Sequence, residues 1–260
     1  MATKKVLIAT GRPLSESRQN TEVLDLNNED AVCHNLPPFP EEIRSATGSV
    51  IQGQPLVCGG YDKDWNAKED CWTLEKSRTS WRRLTTMTSK RTTAASVPVN
   101  NTYLWILGGY DGDGPTKSTE YVDLEGNSKT GPDMPLPISS HAIVALENST
   151  YFLIGGRTDD DQHSEKTYYF SEETQQWSQG PNLKQGRAIH TAGLIIDEVT
   201  AERYTIVAGG IGDGWSTLDS TEILYPGATE WQQGKHSNNL KGDVDFDAMA
   251  VVPKPRAIAQ

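Results

Sequence analysis

The stretch VCGGYDKDWNAKEDCW, Val57 to Trp72, has three look-alikes in the same chain. They are ILGGYDGDGPTKSTEY from Ile106, LIGGRTDDDQHSEKTY from Leu153 and VAGGIGDGWSTLDSTE from Val207. In each, an apolar run of strand character stops on a glycine pair. Asp-rich turn chemistry follows, and then a second short apolar run. A phosphate-cradling glycine loop would open a helix, and no helical periodicity follows any of these glycines. The segment therefore reads as the corner of a repeated unit rather than as a nucleotide site.

Working outward, apolar runs end at Gly11, Gly60, Gly109, Gly156 and Gly210, spaced by 49, 49, 47 and 54 residues. A second marker recurs after each: TEVLDL from Thr21, DCWTL from Asp70, TEYVDL from Thr119, KTYYF from Lys166 and TEILY from Thr221. A tryptophan then closes the unit at Trp81, Trp177 and Trp231, with Val32 or Cys33 and Ser128 in that place in copies one and three. Small-residue openers begin the next unit at Ser45, Thr93, His141, His190 and Phe246. Five registered copies with a period near 50 resemble kelch-repeat β-propellers over essentially the whole chain. The departures are a single glycine in copy one, two missing tryptophans, and a copy number of five where six or seven blades are commoner.

The resemblance implies an all-β, five-bladed propeller with four antiparallel strands, a to d, in each blade. The blades would span 46–85, 93–134, 141–183 and 190–235, the first combining 4–40 with 246–253. The chain starts at a b-strand, KKVLIATG, and ends on an orphan a-strand, DAMAVVP. That last strand is expected to complete the first blade and remove its free edges. No domain boundary interrupts the 260 residues.

Composition agrees with this class and excludes others. The 23 glycines and 14 prolines fit a turn-rich β protein. A net charge of −11 opposes binding to nucleic acid and to anionic membranes. No apolar run approaches the roughly 20 residues of a membrane span. The N-terminal MATKKVLIATG lacks an h-region, so it reads as a strand rather than a signal peptide.

Alternating strand direction places the b–c and d–a loops on one face. That face is expected to carry Asp62, Asp111 and Asp213 with Tyr61, Tyr110 and Trp215 from the b–c loops. Arg44, Arg91 and Arg187 appear in register in the d–a segments, with Ile138 and Val244 in the other two copies. Arginines at this place often line the partner pocket of kelch domains, so the resemblance implies a binding role, through bidentate carboxylate contact. The competing reading is that each arginine pairs internally with a neighbouring carboxylate. The aspartates read first as turn caps. Calcium is a secondary reading, although DGDG is too short for an EF-hand loop.

On the opposite face, Asn100 in NNT and Asn148 in NST fit the N-glycosylation pattern at equivalent a–b turns. Cys58 ends one strand and Cys71 begins the next, so a hairpin can bring them within bridging distance. Closing the twelve intervening residues would contribute about 2–3 kcal/mol. The alternative is two reduced cysteines packed as small apolar groups. Cys33 is left over, and no paired CxxC spacing points to zinc. The sequons and a bridge favour an extracellular setting.

Tests for catalysis are negative at the sequence level. His34, His141, His163, His190 and His236 share no motif with Cys and Tyr of the galactose-oxidase kind. None closes the Glu-x3-Asp-x3-His iron pattern of specifier proteins. No Gly-x-Ser-x-Gly elbow occurs. The expected function is a monomeric, non-catalytic propeller without cofactor. It would bind a protein or peptide through the b–c/d–a face, with Arg44, Arg91 and Arg187 as anchors. A secreted glycan- or small-molecule-binding propeller using Trp65, Trp215 or Tyr110 is the alternative. A metal-dependent activity in the central channel ranks below it.

Overall fold

A computed structural model describes residues 5–9, 21–25, 34–197 and 200–234. Gly11, Val32, Cys33, Val244, His236 and the C-terminal segment expected to close the first blade lie outside those residues. The first sheet contains β1 (Lys5–Ala9), β2 (Thr21–Asp25) and β3 (His34–Asn35), paired in sequence order. Three four-stranded antiparallel meanders follow. They are β4 (Thr47–Ile51) to β5 (Gln54–Cys58), β6 (Asp70–Leu74) and β7 (Trp81–Thr86); β8 (Ala95–Val99) to β9 (Tyr103–Leu107), β10 (Thr119–Asp123) and β11 (Ser128–Thr130); and β12 (Ala142–Ala145) to β13 (Thr150–Ile154), β14 (Thr167–Ser171) and β15 (Gln176–Gln179). The last sheet starts with β16 (Thr191–Ile196) and β17 (Arg203–Ala208). A two-residue ladder, β18 (Ile211–Gly212) with β19 (Ser216–Thr217), decorates its b–c loop. β20 (Thr221–Leu224) and β21 (Gln232–Gln233) complete it. The one helical element among the described residues is a single 3-10 turn, Asp213–Trp215.

These sheets are the blades of a propeller. The first strands of successive blades, β4, β8, β12 and β16, lie side by side and form the inner wall. Backbone hydrogen bonds link them just ahead of those strands. Thr93 N–H donates to the Ser45 carbonyl at 2.9 Å, Ser140 to Thr93 at 2.8 Å and Ile189 to Ser140 at 2.9 Å. All four residues have φ between 52° and 54°. The left-handed turn is uncommon for side-chain-bearing residues and a genuine outlier for β-branched Thr93 and Ile189, so the belt holds them there.

A glycine pair seals the junctions that follow the second, third and fourth blades. Gly59 and Gly60 have φ of 69° and 98°, a region that favours glycine. A Cβ on Gly60 would lie 2.8 Å from the Arg44 carbonyl oxygen and 3.1 Å from the Ala46 methyl of its own blade. A Cβ on Gly59 would collide with the Arg91 carbonyl leading to the next blade. The closing tryptophans also cross junctions: Trp81 Nε1 donates to the Pro37 carbonyl at 3.1 Å and Trp231 Nε1 to Pro181 at 2.9 Å.

Cys58 and Cys71 stand directly opposite each other on β5 and β6 and form a disulfide. Both are buried. Where Cys71 sits, β10 and β14 carry Thr119 and Thr167, whose hydroxyls donate to the Pro132 and Pro181 carbonyls. The bridge thus replaces a side-chain tie within the blade by a covalent one.

Candidate functional site

The b–c and d–a loops meet through backbone before any side chain is considered. Arg44 exchanges two hydrogen bonds with Tyr61, of 2.8 and 3.0 Å. Thr92 does the same with Tyr110, Ser139 with Arg157 and Ala188 with Ile211. This fixes the register between blades and corrects the sequence alignment of the arginines. Arg44 is equivalent to Thr92, one residue beyond Arg91. The slot of Arg91 and Arg187 is filled in the other blades by Ile43 and Ile138, both buried. In extended chain a step of one residue reverses the direction of the side chain.

The two halves of the arginine set accordingly have different environments. Arg91 is 1% exposed and Arg187 is 0% exposed, so neither guanidinium can reach a partner. Arg91 Nη1 donates to the Gly108 and Ser118 carbonyls at 2.9 and 2.8 Å, and Nη2 to Ser118 Oγ at 2.8 Å. Arg187 repeats this on Gly209, Ser220 and Glu222, the last at 2.7 Å. Burial lowers the pKa of both arginines, and the carboxylates of Glu120 and Glu222 work against that shift. The expected anchoring role does not fit Arg91 and Arg187, because both are buried and their Nη groups bond atoms of the next blade. Arg44 remains at the surface, its guanidinium carbon 3.9 Å from the centre of the Trp65 ring.

Trp65 is 63% exposed and Trp215 is 52% exposed. Each is the fifth residue after its glycine pair, and each has positive φ, 64° and 59°. Tyr61 packs edge-on to Trp65 at 5.7 Å. His163 packs edge-on to Trp215 at 5.6 Å, and Arg157 lies 5.3 Å from the same ring. Both indoles therefore carry a guanidinium neighbour, at distances typical of cation–π contact. Arg157 was not singled out by sequence reasoning; its position, the residue after the glycine pair, matches Tyr61 and Tyr110. These three approach one another. Burial raises the Tyr61 pKa, helped by Tyr110 and opposed by a hydrogen bond with Thr92 and by the Arg157 charge.

The aspartates serve their own loops. Asp62 Oδ1 accepts from the Asp64 and Asn66 amides, both at 2.9 Å. The Asn66 amide bond is the main cause of a lowered Asp62 pKa. Asp111 Oδ1 accepts from Asp113 and Gly114 at 2.9 and 3.0 Å. These are Asx turns. Asp213 is exposed, with Oδ1 4.0 Å from His163 Nδ1. Among the described residues no three His, Cys, Asp or Glu side chains come together as a metal-binding group. On the far face Asn100 and Asn148 are exposed at left-handed turn positions, and Asn100 Nδ2 donates to Glu172 Oε1 at 3.0 Å. No helix of the described chain is long and apolar enough to cross a membrane.

Meandering four-stranded blades, hydrogen-bonded rims and repeated glycine corners define a β-propeller of the kelch type. The chain matches the KLHDC2/KLHL20/DRC7 Kelch-repeats domain family over residues 1–200 and belongs to the kelch-repeat family. It is 28% identical to Kelch-like protein 41b of Danio rerio over 203 residues, covering 73% of this chain and 32% of that protein. It is 25% identical to Kelch-like protein 35 of Mus musculus over 203 residues, covering 76% and 32%. The match thus spans about a third of the length of these curated relatives. The solved structure of YjhT superposes with a TM-score of 0.69 at 16% identity, covering 79% of this chain and 76% of that one.

Proposed function

We propose that this propeller is a non-catalytic binding module that engages a protein partner through the b–c/d–a face. Kelch relatives are typically protein-interaction scaffolds, which supports the general reading. The observation that carries the site is the recurrence of an exposed tryptophan, Trp65 and Trp215, at one loop position in two blades, each beside an arginine. Tryptophan and arginine dominate interface hot spots. Contact with the indole, 3.9 Å from the ring centre, restricts the Arg44 guanidinium, whose forked donors suit a carboxylate. Asp64, Asp113, Asp159 and Asp213, all exposed, surround these anchors and favour partners with a basic rim.

The test compares native-source capture and cross-linking by the wild type and by the Trp65→Ala/Trp215→Ala variant. Exposed side chains cost little stability when truncated, about 0.5 kcal/mol or less. The expected result is loss of the captured partner with an unchanged unfolding midpoint. Retention of the same partner at undiminished yield would exclude the assignment, and a glycan captured in its place would favour a lectin.

A further inference from the structure

The opposite face carries a cleft of about 280 Å3 between the fourth and fifth blades. Its walls include Tyr169, Leu194, Thr205 and Leu224, and Glu147 and Arg203 stand among its lining residues. Ligand pockets start near this size, so it fits a single small ring and not a nucleotide.

The preceding junction shows what the cleft lacks. Tyr151 pairs with Ala145 and Phe170 across its sheet, as Thr205 pairs with Leu194 and Leu224. Facing Tyr151, Trp105 stacks on Tyr121 at 5.5 Å with an interplanar angle of 11°. Facing Thr205, the equivalent stack is Phe152 on Tyr169 at 4.2 Å and 9°. At the third–fourth junction the Tyr151 ring is buried and packs edge-on to Trp105 at 5.3 Å. At the fourth–fifth junction the smaller Thr205 stands in that position, with Leu194 in place of Ala145 beside it, and the cleft opens next to Tyr169. The aromatic stack of the frame is kept, while the ring that Tyr151 lays against it has no counterpart on Thr205.

The polar groups differ as well. The Tyr151 hydroxyl reaches Glu172 Oε2 at 3.5 Å. The residue equivalent to Glu172 is Pro226, which offers no carboxylate. A cation is available instead: Arg203, of whose five N–H donors Glu147 engages those of one nitrogen, Nη1, at 3.0 Å. That pair is about half exposed and therefore weak, so an incoming carboxylate can compete for the guanidinium.

We infer that this cleft binds a small aryl carboxylate, its ring taking the place that Tyr151 fills at the neighbouring junction and its carboxylate meeting Arg203. The site is independent of the protein-binding face. The probes are 4-hydroxyphenylacetate and its neutral analogue p-cresol, titrated into the whole protein and followed by NMR shift mapping. The expected result is saturable binding with shifts at Tyr169, Leu194, Thr205 and Leu224, tighter for the acid. Thr205→Tyr supplies the ring internally and should weaken both probes at least about tenfold, and Arg203→Met should abolish the preference for the acid. No saturable binding, shifts centred elsewhere, or undiminished binding by Thr205→Tyr would overturn the site. A preference for the acid that survives Arg203→Met would overturn the role of Arg203. Should Thr205→Tyr fail to fold, the wild-type shift map alone decides.

Discussion

Arg187 Nη2 lies 2.7 Å from Glu222 Oε1, with both side chains buried, across the junction of the fourth and fifth blades. Arg91 and Glu120 occupy the same two slots between the second and third blades, at 4.0 Å. At the first–second and third–fourth junctions the slots hold Ile43 with Trp72 and Ile138 with Tyr168, and each pair shares a hydrophobic cluster. The chain thus alternates ionic and apolar solutions to one packing problem. Each carboxylate also accepts backbone N–H groups of the preceding d–a loop: Thr88 for Glu120, and Lys184 and Gln185 for Glu222.

Breaking such a pair on one side leaves a buried charge without a counter-charge. Glu222→Gln should cost about 3–5 kcal/mol, read as a drop in urea midpoint. The double variant Arg187→Ile/Glu222→Tyr imports the pair of the third–fourth junction and should recover part of that loss. A double variant no more stable than the single would contradict the equivalence of the slots.

The disulfide should be measurable separately from the frame. Cys58→Ala/Cys71→Thr restores the threonine found in other blades and should lower stability by about 2–4 kcal/mol. Alkylation of the native protein under denaturing, non-reducing conditions should leave Cys58 and Cys71 unmodified. Labelling of both would refute the bridge.

His141 and His190 immediately precede the inner strands of adjacent blades, and burial holds their pKa down to about 3; the Arg187 charge adds to the effect at His190. Both stay neutral in the fold while the unfolded chain takes up protons near pH 6.5. Their contribution is therefore fully present above pH 6.5 and is lost as pH falls from there toward 3. Each contributes a slope of up to about 1.4 kcal/mol per pH unit over that range. Ala46 and Ala94 fill these places in two other blades, so His141→Ala/His190→Ala should fold and show a flatter dependence of unfolding midpoint on pH between 4 and 6 (about two units of the window).

The two sequons should differ. Asn100 Nδ2 is held by Glu172 of the next blade, whereas the Asn148 side-chain amide has no such tie among the described residues. Expressed in a secretory host, the protein should carry glycan more fully at Asn148. Glu172→Ala should raise occupancy at Asn100, scored by peptide mapping.

The glycine corners, the strand markers and the Cys58–Cys71 neighbourhood were legible because each repeats, or breaks, a pattern about 50 residues long. The arginine register was not. Arg44-Ser45-Ala46 is one residue shorter than Arg91-Thr92-Thr93-Ala94, and only the Arg44–Tyr61 backbone bridge shows which residue faces outward. The partners of Arg91 and Arg187 lie 29 and 35 residues away in the next blade (120 − 91 and 222 − 187). No local pattern predicts that crossing. The tryptophans were visible singly, yet their common loop position and their guanidinium neighbours emerge only after the loops are folded.

The belt of Ser45, Thr93, Ser140 and Ile189 is made wholly of main-chain donors and acceptors. Its bonds are indifferent to which side chain each link carries. A polar, apolar or β-branched residue is accepted at the same torsion, as these four already demonstrate. The inner wall can therefore change its chemistry by substitution at these positions while the main-chain belt stays as it is.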